Sequence, residues 1–124
     1  MSIQANKAIA KRYLNAVIEG DIETIRNLQH DDAKWWVLGF GEMDKTTFTG
    51  MVEQGLLSAT ERKLDILALT AEDDRVSVMA QGEMIFPDKV YKNEYHNMLF
   101  IRDGLITGGR EYMDTMAAAE AFGS

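Results

Sequence analysis

The stretch YKNEYHNMLFIRDGLITGGREY, residues 91–112, holds two runs of alternating side chains on either side of a short turn. Residues 91–102 and residues 105–112 are rich in aromatic and branched apolar side chains, which favour extended backbone. Asp103-Gly104 lies between them and is typical of the two-residue turns that join antiparallel strands. The stretch therefore predicts a β-hairpin near the end of the chain.

The same period of two continues upstream of this hairpin. Side chains alternate from Arg62 onward, which predicts another strand. Asp73-Asp74 then predicts a turn, and residues 76–86 predict a further long strand that ends at Pro87. Four consecutive strands joined by short turns indicate an antiparallel sheet.

The first half of the chain has helical periodicity instead. Apolar residues recur at helical spacing over residues 1–18, which predicts an amphipathic helix, and a second helix ends near His30. Residues 33–38 predict a short strand, residues 46–57 a weaker helix, and residues 113–122 a short terminal helix. The order indicates an α+β fold in which helices cover one face of a curved antiparallel sheet.

Composition limits the classes of function. The chain has 124 residues, 46% of them hydrophobic, so residues 1–124 fit one domain with a sizeable core. The net charge of −7 argues against nucleic acid and against an anionic membrane surface as partners. Without cysteine there is no thiolate nucleophile. The first residues contain no long apolar run, which favours a cytoplasmic protein.

No motif indicates a metal or a cofactor. The two histidines, His30 and His96, are far apart in sequence and have no carboxylate at the spacing of a metal site. No glycine-rich phosphate loop is present. We therefore expect a protein that works with neither metal nor cofactor.

Ionisable side chains lie among apolar ones on the predicted strands. Period-two alternation places them in three rows, which are Met79, Gln81, Glu83 and Ile85, then Glu94, His96, Met98 and Phe100, then Glu111 and Met113. The apolar members of each row predict that the rows point inward. Because a buried carboxylate without a partner is costly, several of them converging indicate a polar-lined pocket for a small molecule.

The opposite faces of these strands are apolar as well. They carry Val76, Val78, Ala80 and Met84 on one strand and Tyr95, Leu99 and Ile101 on the next. A sheet covered on one side alternates cleanly, so two apolar faces predict a second covering layer. A second copy of the chain would supply it, and we expect a homodimer.

Several short strings occur in a familiar order. They are Arg12-Tyr13, Glu19-Gly20-Asp21, Asp31-Asp32-Ala33-Lys34-Trp35-Trp36, Arg102-Asp103-Gly104-Leu105-Ile106 and Arg110-Glu111-Tyr112-Met113-Asp114-Thr115. Their order and spacing resemble the nuclear transport factor 2-like superfamily, which includes ketosteroid isomerases, SnoaL-like polyketide cyclases and limonene epoxide hydrolases. The resemblance covers nearly the whole chain. It implies a cone-shaped curved sheet wrapped around N-terminal helices.

The resemblance to ketosteroid isomerases implies roles for three positions. Tyr13 matches the tyrosine that donates a hydrogen bond to the substrate oxygen, and His96 falls where the second donor stands. Val37 occupies the position of the aspartate base, so this chain departs from the isomerase pattern there.

The resemblance to the other two classes implies an acidic pair. Glu111 and Glu83 match the two acids of limonene epoxide hydrolases, whereas Gln81 stands where their arginine belongs. In SnoaL-like cyclases an acidic residue moves a proton during ring closure, and Glu111 or Asp114 would take that role.

Together these patterns predict a small cofactor-independent enzyme acting on a compact steroid-, terpenoid- or polyketide-like molecule. Its acid–base chemistry would be isomerisation, cyclisation, dehydration or epoxide opening. The expected catalytic residues are His96, Glu111, Tyr13 and Glu83, and the expected pocket lining is Trp35, Val37, Gln81, Met79, Met98, Phe100 and Met113. The alternative is a noncatalytic ligand-binding or dimerisation module, which the missing base at Val37 favours. A third possibility is an accessory protein whose dimer surface matters more than its cavity.

Overall fold

The structure, a computed structural model, describes residues 2–123. The first residue of the helix predicted from residue 1 and the last residue of the predicted domain lie outside this range. The helices are α1 (Ile3–Glu19), α2 (Ile22–Asn27), α3 (Lys45–Ser58) and α4 (Thr115–Phe122). The strands are β1 (Gln29–Val37), β2 (Gly41–Asp44), β3 (Glu61–Glu72), β4 (Arg75–Ile85), β5 (Val90–Arg102) and β6 (Leu105–Met113). The α+β fold predicted from the sequence is confirmed.

Three of the helices begin directly after an aspartate that caps them. Asp21, Asp44 and Asp114 each accept a hydrogen bond from a backbone N–H in the first turn of α2, α3 and α4, which satisfies donors that the helix itself leaves free. Gly20 ends α1 with φ of 72°, a left-handed conformation that glycine adopts without strain. Asp114, one of the two acids that the cyclase resemblance implied, is thus the cap of α4.

The six strands form one sheet in the order β2-β1-β6-β5-β4-β3. Neighbouring strands are antiparallel except β1 and β6, which pair in parallel. The sequence predicted the antiparallel part but neither the parallel pair nor β2, which is only four residues long. The Ile106 N–H donates to the Leu28 carbonyl over 2.7 Å. Because Gln29 also pairs with Ile106, β1 begins at Gln29. Long-range pairing therefore sets the start of β1 four residues earlier than the local pattern indicated.

The hairpin between β5 and β6 has the predicted turn. Asp103 and Gly104 have φ of 52° and 82°, and Arg102 pairs with Leu105 across it. Two consecutive positive φ angles match the twist of antiparallel strands. The turn prediction is confirmed to the residue, and each strand extends one residue further at its outer end than predicted.

The helices cover only one face of the sheet, here called the inner face. Its buried strand residues include Ala33, Trp35, Val37, Val76, Val78, Ala80, Leu99, Ile101 and Ile106, and they pack with Ala10, Leu14, Ile25 and Phe48 from the helices. On β4 and β5, these inner-face residues belong to the rows that we predicted from the sequence to contact a dimer partner. The predicted inward orientation of these two strands is therefore wrong, because both faces are apolar and alternation alone does not tell which one the helices cover.

Gly109 is required where β6 pairs with β1, opposite Trp35. A Cβ atom at this position would lie 2.7 Å from the Trp35 ring and 2.9 Å from the Met98 carbonyl oxygen. Neither neighbour has room to move, since Trp35 is buried in the core and Met98 belongs to the adjacent strand. The missing side chain lets the indole lie flat on the sheet.

Candidate active site

A cavity of about 770 Å³ lies between the inner face of the sheet and the helices. Its walls are mostly apolar and include Leu14, Val17, Val37, Leu64, Val78, Ala80, Met84 and Met113. Lining residues that are exposed lie on α3, on the turn between β4 and β5, and at the end of α4, so the cavity opens there. The volume suits a compact organic molecule, since such sites in proteins measure roughly 300–1,000 Å³.

Four polar side chains project into this cavity from three elements. Tyr13 comes from α1, Tyr95 and Asn97 come from β5, and Glu111 comes from β6. Asn97 and Glu111 are direct partners across the β5–β6 ladder, so their Cβ atoms are about 4.5–5.5 Å apart. The fold thus sets the Glu111 carboxyl group among several hydrogen-bond donors on the β5–β6 side of the cavity, while Glu83 and Asp88 also belong to its lining.

Burial changes the acidity of Glu111. Loss of solvent raises the pKa of its carboxyl group from 4.5 to about 7, because an apolar environment disfavours the charged form. Within residues 2–123 its side chain forms no ion pair and no hydrogen bond. At neutral pH Glu111 therefore exists in both protonated and ionised forms, which is the condition for general acid–base catalysis.

Tyr13 lies close to Glu111 and is buried. Burial raises the pKa of its hydroxyl group above the ordinary value, and the charge of Glu111 raises it further. The hydroxyl group therefore keeps its proton at neutral pH and is a hydrogen-bond donor.

A layer of aromatic rings fixes the position of Tyr13. Its ring stacks on Trp35 at 5.8 Å between centroids, and Trp35 stacks on Phe48 at 3.9 Å. The Trp35 Nε1–H donates to Gln29 Oε1 over 2.8 Å, and Gln29 Nε2 donates to Thr49 Oγ1 over 2.9 Å. This buried network joins α3 to β1 and leaves Trp35 no freedom to turn.

Tyr95 interacts with Tyr91, which belongs to a second hydrogen-bond network that reaches α4. Burial raises the pKa of its hydroxyl group, with smaller contributions from Tyr91 and Glu111. Asn93 Nδ2 donates to the hydroxyl oxygen of Tyr91 and to the Asp114 carbonyl, while its Oδ1 accepts the Asp114 N–H over 2.8 Å. Asn93 on β5 is thus hydrogen-bonded to Asp114, the residue that caps the terminal helix.

Some residues predicted from the sequence do meet around the cavity. Tyr13, Val37, Glu111 and Met113 line it, and Glu83 contributes to the lining while only half-buried on β4. The roles expected of them stay predictions. These side chains meet because α1 packs over the inner face of the sheet, from which Val37 on β1 and Glu111 on β6 project.

Other predicted residues lie elsewhere. Met79, Gln81 and His96 are exposed on the opposite, outer face of the sheet, and Met98 and Phe100 are half-buried there. The expectation that these five residues line the pocket is wrong, since their side chains on β4 and β5 project from the face of the sheet opposite to the one predicted. Trp35 shares the inner face but packs beneath Tyr13 and does not line the cavity, so its predicted place in the pocket wall is wrong too.

His96 has a specific partner on the outer face. A hydrogen bond of 2.7 Å joins His96 Nε2 and Ser77 Oγ across β4 and β5. Both residues lie on the side of the sheet that faces away from the cavity. The predicted acid–base role of His96 in the pocket therefore has no geometric basis.

Two functional candidates were missed by sequence reasoning, Tyr95 and Asn97. The signal was available, because Asn97 is a polar residue in the otherwise apolar row of Tyr95, Leu99 and Ile101. That row was read as a surface for a partner. A lone amide inside it marks the inner face where the cavity is.

Neither a metal cluster nor a membrane-spanning helix is found in the described part of the chain. Among residues 2–123, no three His, Cys, Asp or Glu side chains come close enough to hold a metal ion. No helix in the same range is long and apolar enough to cross a membrane.

Residues 10–109 match the family model of the SnoaL-like domain. The chain belongs to the SnoaL-like family. This family is part of the NTF2-like superfamily, as the sequence strings predicted. The match ends two residues before Glu111, so the importance of that residue in this SnoaL-like chain rests on the structure.

Solved structures share the fold at low sequence identity. An NTF2-like protein from Burkholderia xenovorans LB400 is 23% identical, with 98% of each chain covered and a TM-score of 0.74. An LEH-like epoxide hydrolase from M. tuberculosis is 17% identical, with 98% of each chain covered and a TM-score of 0.81. BvnE pinacolase from Penicillium brevicompactum is 12% identical, covering 95% of this chain and 88% of that one, with a TM-score of 0.86. None of the curated proteins is similar enough in sequence to count as a match.

Proposed function

We propose that this SnoaL-like chain is a cofactor-independent enzyme that moves a proton on a compact, apolar, oxygen-bearing molecule. The observation that supports this most directly is Glu111, a half-buried residue that lines the cavity without a charged partner and whose pKa is raised to about 7 by desolvation. Perturbed acids of this kind concentrate at catalytic sites. Neighbours of the same fold include an epoxide hydrolase and a pinacolase, in keeping with small-molecule chemistry.

In the proposed reaction Glu111 transfers the proton and Tyr13 stabilises the substrate oxygen. The ionised carboxylate of Glu111 takes a proton from a carbon beside a carbonyl group, or from a water molecule next to an epoxide. The Tyr13 hydroxyl group donates a hydrogen bond to the substrate oxygen, where negative charge develops. Protonated Glu111 then returns its proton to a second position, which completes an isomerisation, cyclisation or dehydration, or it protonates the opened epoxide.

Replacing Glu111 tests this proposal. Wild type and Glu111→Gln are compared on styrene oxide and on an apolar enone in deuterated buffer, with epoxide loss and deuterium incorporation as readouts. We expect turnover by the wild type to fall about 10²–10⁴-fold in the variant, the usual contribution of a general acid or base. Glu94→Gln is the matched control, since Glu94 is an exposed glutamate on the strand next to β6. Equal turnover by wild type and Glu111→Gln would eliminate the assignment.

The second candidate function is ligand binding without conversion. The observation that favours it is Val37, which lines the cavity at the position where the isomerase resemblance requires an aspartate base. In that case the wild type binds styrene oxide without consuming it. Glu111→Gln then has no turnover to lose, which separates the two candidates.

We also propose that two copies of the chain pair through the outer face of the sheet. Trp36, Met98, Phe100 and Tyr112 give this face a half-exposed apolar centre. The Arg110 guanidinium group lies 3.9 Å from the centroid of the Trp36 ring and donates through Nε to the Tyr112 hydroxyl oxygen over 2.9 Å. These stacked groups form a rigid patch of the composition that protein interfaces favour.

The outer face would pair with its own copy. A closed homodimer has two-fold symmetry, so the same patch of each copy meets the other across the axis. Sedimentation of a dilution series should show a dimer that Trp36→Glu converts to monomer, and a wild type that is monomeric throughout would contradict the pairing.

A cytoplasmic location belongs to the same proposal and rests on the sequence argument above. Fractionation of cells that express a tagged chain tests it.

A further inference from the structure

The amide of Asn97 is held in one orientation by the sheet. Its Oδ1 accepts the backbone N–H of Tyr112 over 3.1 Å, a donor that would otherwise need an acceptor on β5. Because the oxygen is committed to β6, the orientation of the amide is fixed and its nitrogen is directed away from the Tyr112 N–H. The two N–H groups of Asn97 thus remain available for other acceptors.

Asn97 lies at the centre of the polar part of the cavity. It is opposite Glu111 on β6 and opposite Val78 on β4, and all three residues line the cavity. Within residues 2–123, Asn97 Nδ2 and the Tyr13 hydroxyl group form no hydrogen bond with a protein acceptor or with the Glu111 carboxyl group. Neither donor is among the buried side-chain atoms that lack a partner, so both are accessible from the cavity and can meet a ligand that brings an acceptor oxygen.

We infer that Asn97 is the residue that fixes the substrate oxygen beside Glu111, and that the preferred substrate is an uncharged apolar molecule with a carbonyl or epoxide oxygen. This inference rests on the proposed function and names the ligand contact that the function needs. Tyr13 and Asn97 approach the oxygen from α1 and from β5, while Glu111 reaches the neighbouring atom. A ligand carboxylate directly beside Glu111 is disfavoured, because ionised Glu111 would repel it there. The cations of the lining, Arg62, Lys63 and Lys89, lie on β3 and before β5 and not beside Glu111 on β6.

A fluorescent ketone and its hydrocarbon counterpart test the inference. Prodan is an uncharged naphthyl ketone whose emission reports binding in an apolar site and whose carbonyl stretching frequency falls when the oxygen accepts a hydrogen bond. Naphthalene has no oxygen and measures cavity binding alone. We expect Asn97→Leu to weaken prodan binding about 5- to 10-fold, as for one lost hydrogen bond, and to raise the carbonyl frequency of bound prodan. The affinity for naphthalene should stay within about twofold.

Two further variants keep the result interpretable. Asn97→Leu leaves the Tyr112 N–H without its acceptor, so Asn97→Asp is measured beside it. An aspartate keeps that acceptor, loses the N–H donors and adds a carboxyl group, whose general effect on the cavity the naphthalene affinity reports. Asn97→Asp should weaken prodan binding as well, and it should raise the pKa of Glu111 further because two carboxyl groups then face each other. Gln81→Leu removes an amide from the outer face of β4 and should change neither probe.

The outcomes separate this inference from the proposed function. Selective loss of prodan binding in both Asn97 variants supports the assignment. Unchanged prodan affinity and carbonyl frequency in folded Asn97→Asp overturn it and leave the acid–base role of Glu111 to its own test. A wild-type chain that binds neither prodan nor naphthalene overturns both, because the cavity then does not receive apolar molecules.

Discussion

Asn97 and His96 are neighbours on β5, yet they lie in opposite environments. Asn97 faces the cavity and is opposite Glu111. His96 is exposed on the outer face and is hydrogen-bonded to Ser77. Both side chains are polar and both have apolar neighbours two residues away, so their own chemistry does not decide the difference. Helices α1 and α3 decide it by covering one face of the sheet.

Trp35 and Trp36 show the same division on β1. Trp35 is 3% exposed and stacks between Tyr13 and Phe48. Trp36 is half-buried on the outer face, where Arg110 covers its ring. The inner face therefore carries the core and the candidate chemistry, whereas the outer face is open to a partner.

The largest effect should distinguish the two tryptophans. Trp35→Ala removes a ring between two others and the partner of Gln29, so we expect a loss of about 3–5 kcal/mol in the free energy of unfolding. Trp36→Ala removes a half-buried ring and one cation–π contact, and we expect about 1 kcal/mol. Urea denaturation of both variants at low protein concentration measures this, and equal losses would contradict the assignment of the two faces.

An intermediate effect should appear in the pH dependence of stability. The folded chain holds the Glu111 proton up to pH about 7, whereas the unfolded chain releases it near the ordinary value of 4.5. Between these values the unfolded state binds fewer protons, so stability falls as pH rises, by up to about 3 kcal/mol in total. Glu111→Gln removes this loss. Its free energy of unfolding, relative to the wild type, should therefore increase from about pH 4.5 to about pH 8.

Glu94→Gln gives the comparison for the outer face. Glu94 is exposed and lies on the strand adjacent to Glu111. The variant should follow the pH dependence of the wild type, measured by the same urea titrations. A Glu111→Gln variant that behaves like Glu94→Gln would show that Glu111 is solvated.

The smallest effect should come from His96. His96→Ala removes one exposed hydrogen bond to Ser77, and we expect a change in stability of about 0.5 kcal/mol or less. Naphthalene binding should be unchanged, since the residue lies across the sheet from the cavity. Loss of naphthalene binding in a folded variant, followed by fluorescence, would place His96 in the pocket after all.

The sequence predicted the fold because its local signals agreed with the tertiary structure. The Asp103-Gly104 turn, the capping aspartates and the period-two strands all indicate the observed elements. Strand β2 and the parallel pairing of β1 with β6 escaped prediction, since both depend on contacts between residues far apart in sequence.

The candidate site was predicted only in part, for a reason specific to β4 and β5. Alternation gives two rows of side chains, but both rows are apolar here, and the choice between them needs the position of α1. Tyr13 was identified through the resemblance to ketosteroid isomerases, and Glu111 through its alternation with Met113 and the resemblance to the other two classes. Asn97 was missed because a shift of one residue exchanges the two faces of a strand.

Direct titration of the Glu111 carboxyl group tests the central claim, that a buried acid in this cavity is poised for proton transfer. Carbon-detected NMR of the side-chain carboxyl carbons, with Glu111→Gln to assign the resonance, gives the pKa in the intact chain. We expect a pKa of about 7 for Glu111, well above its ordinary value of 4.5. A Glu111 resonance that titrates near 4.5 would contradict the account.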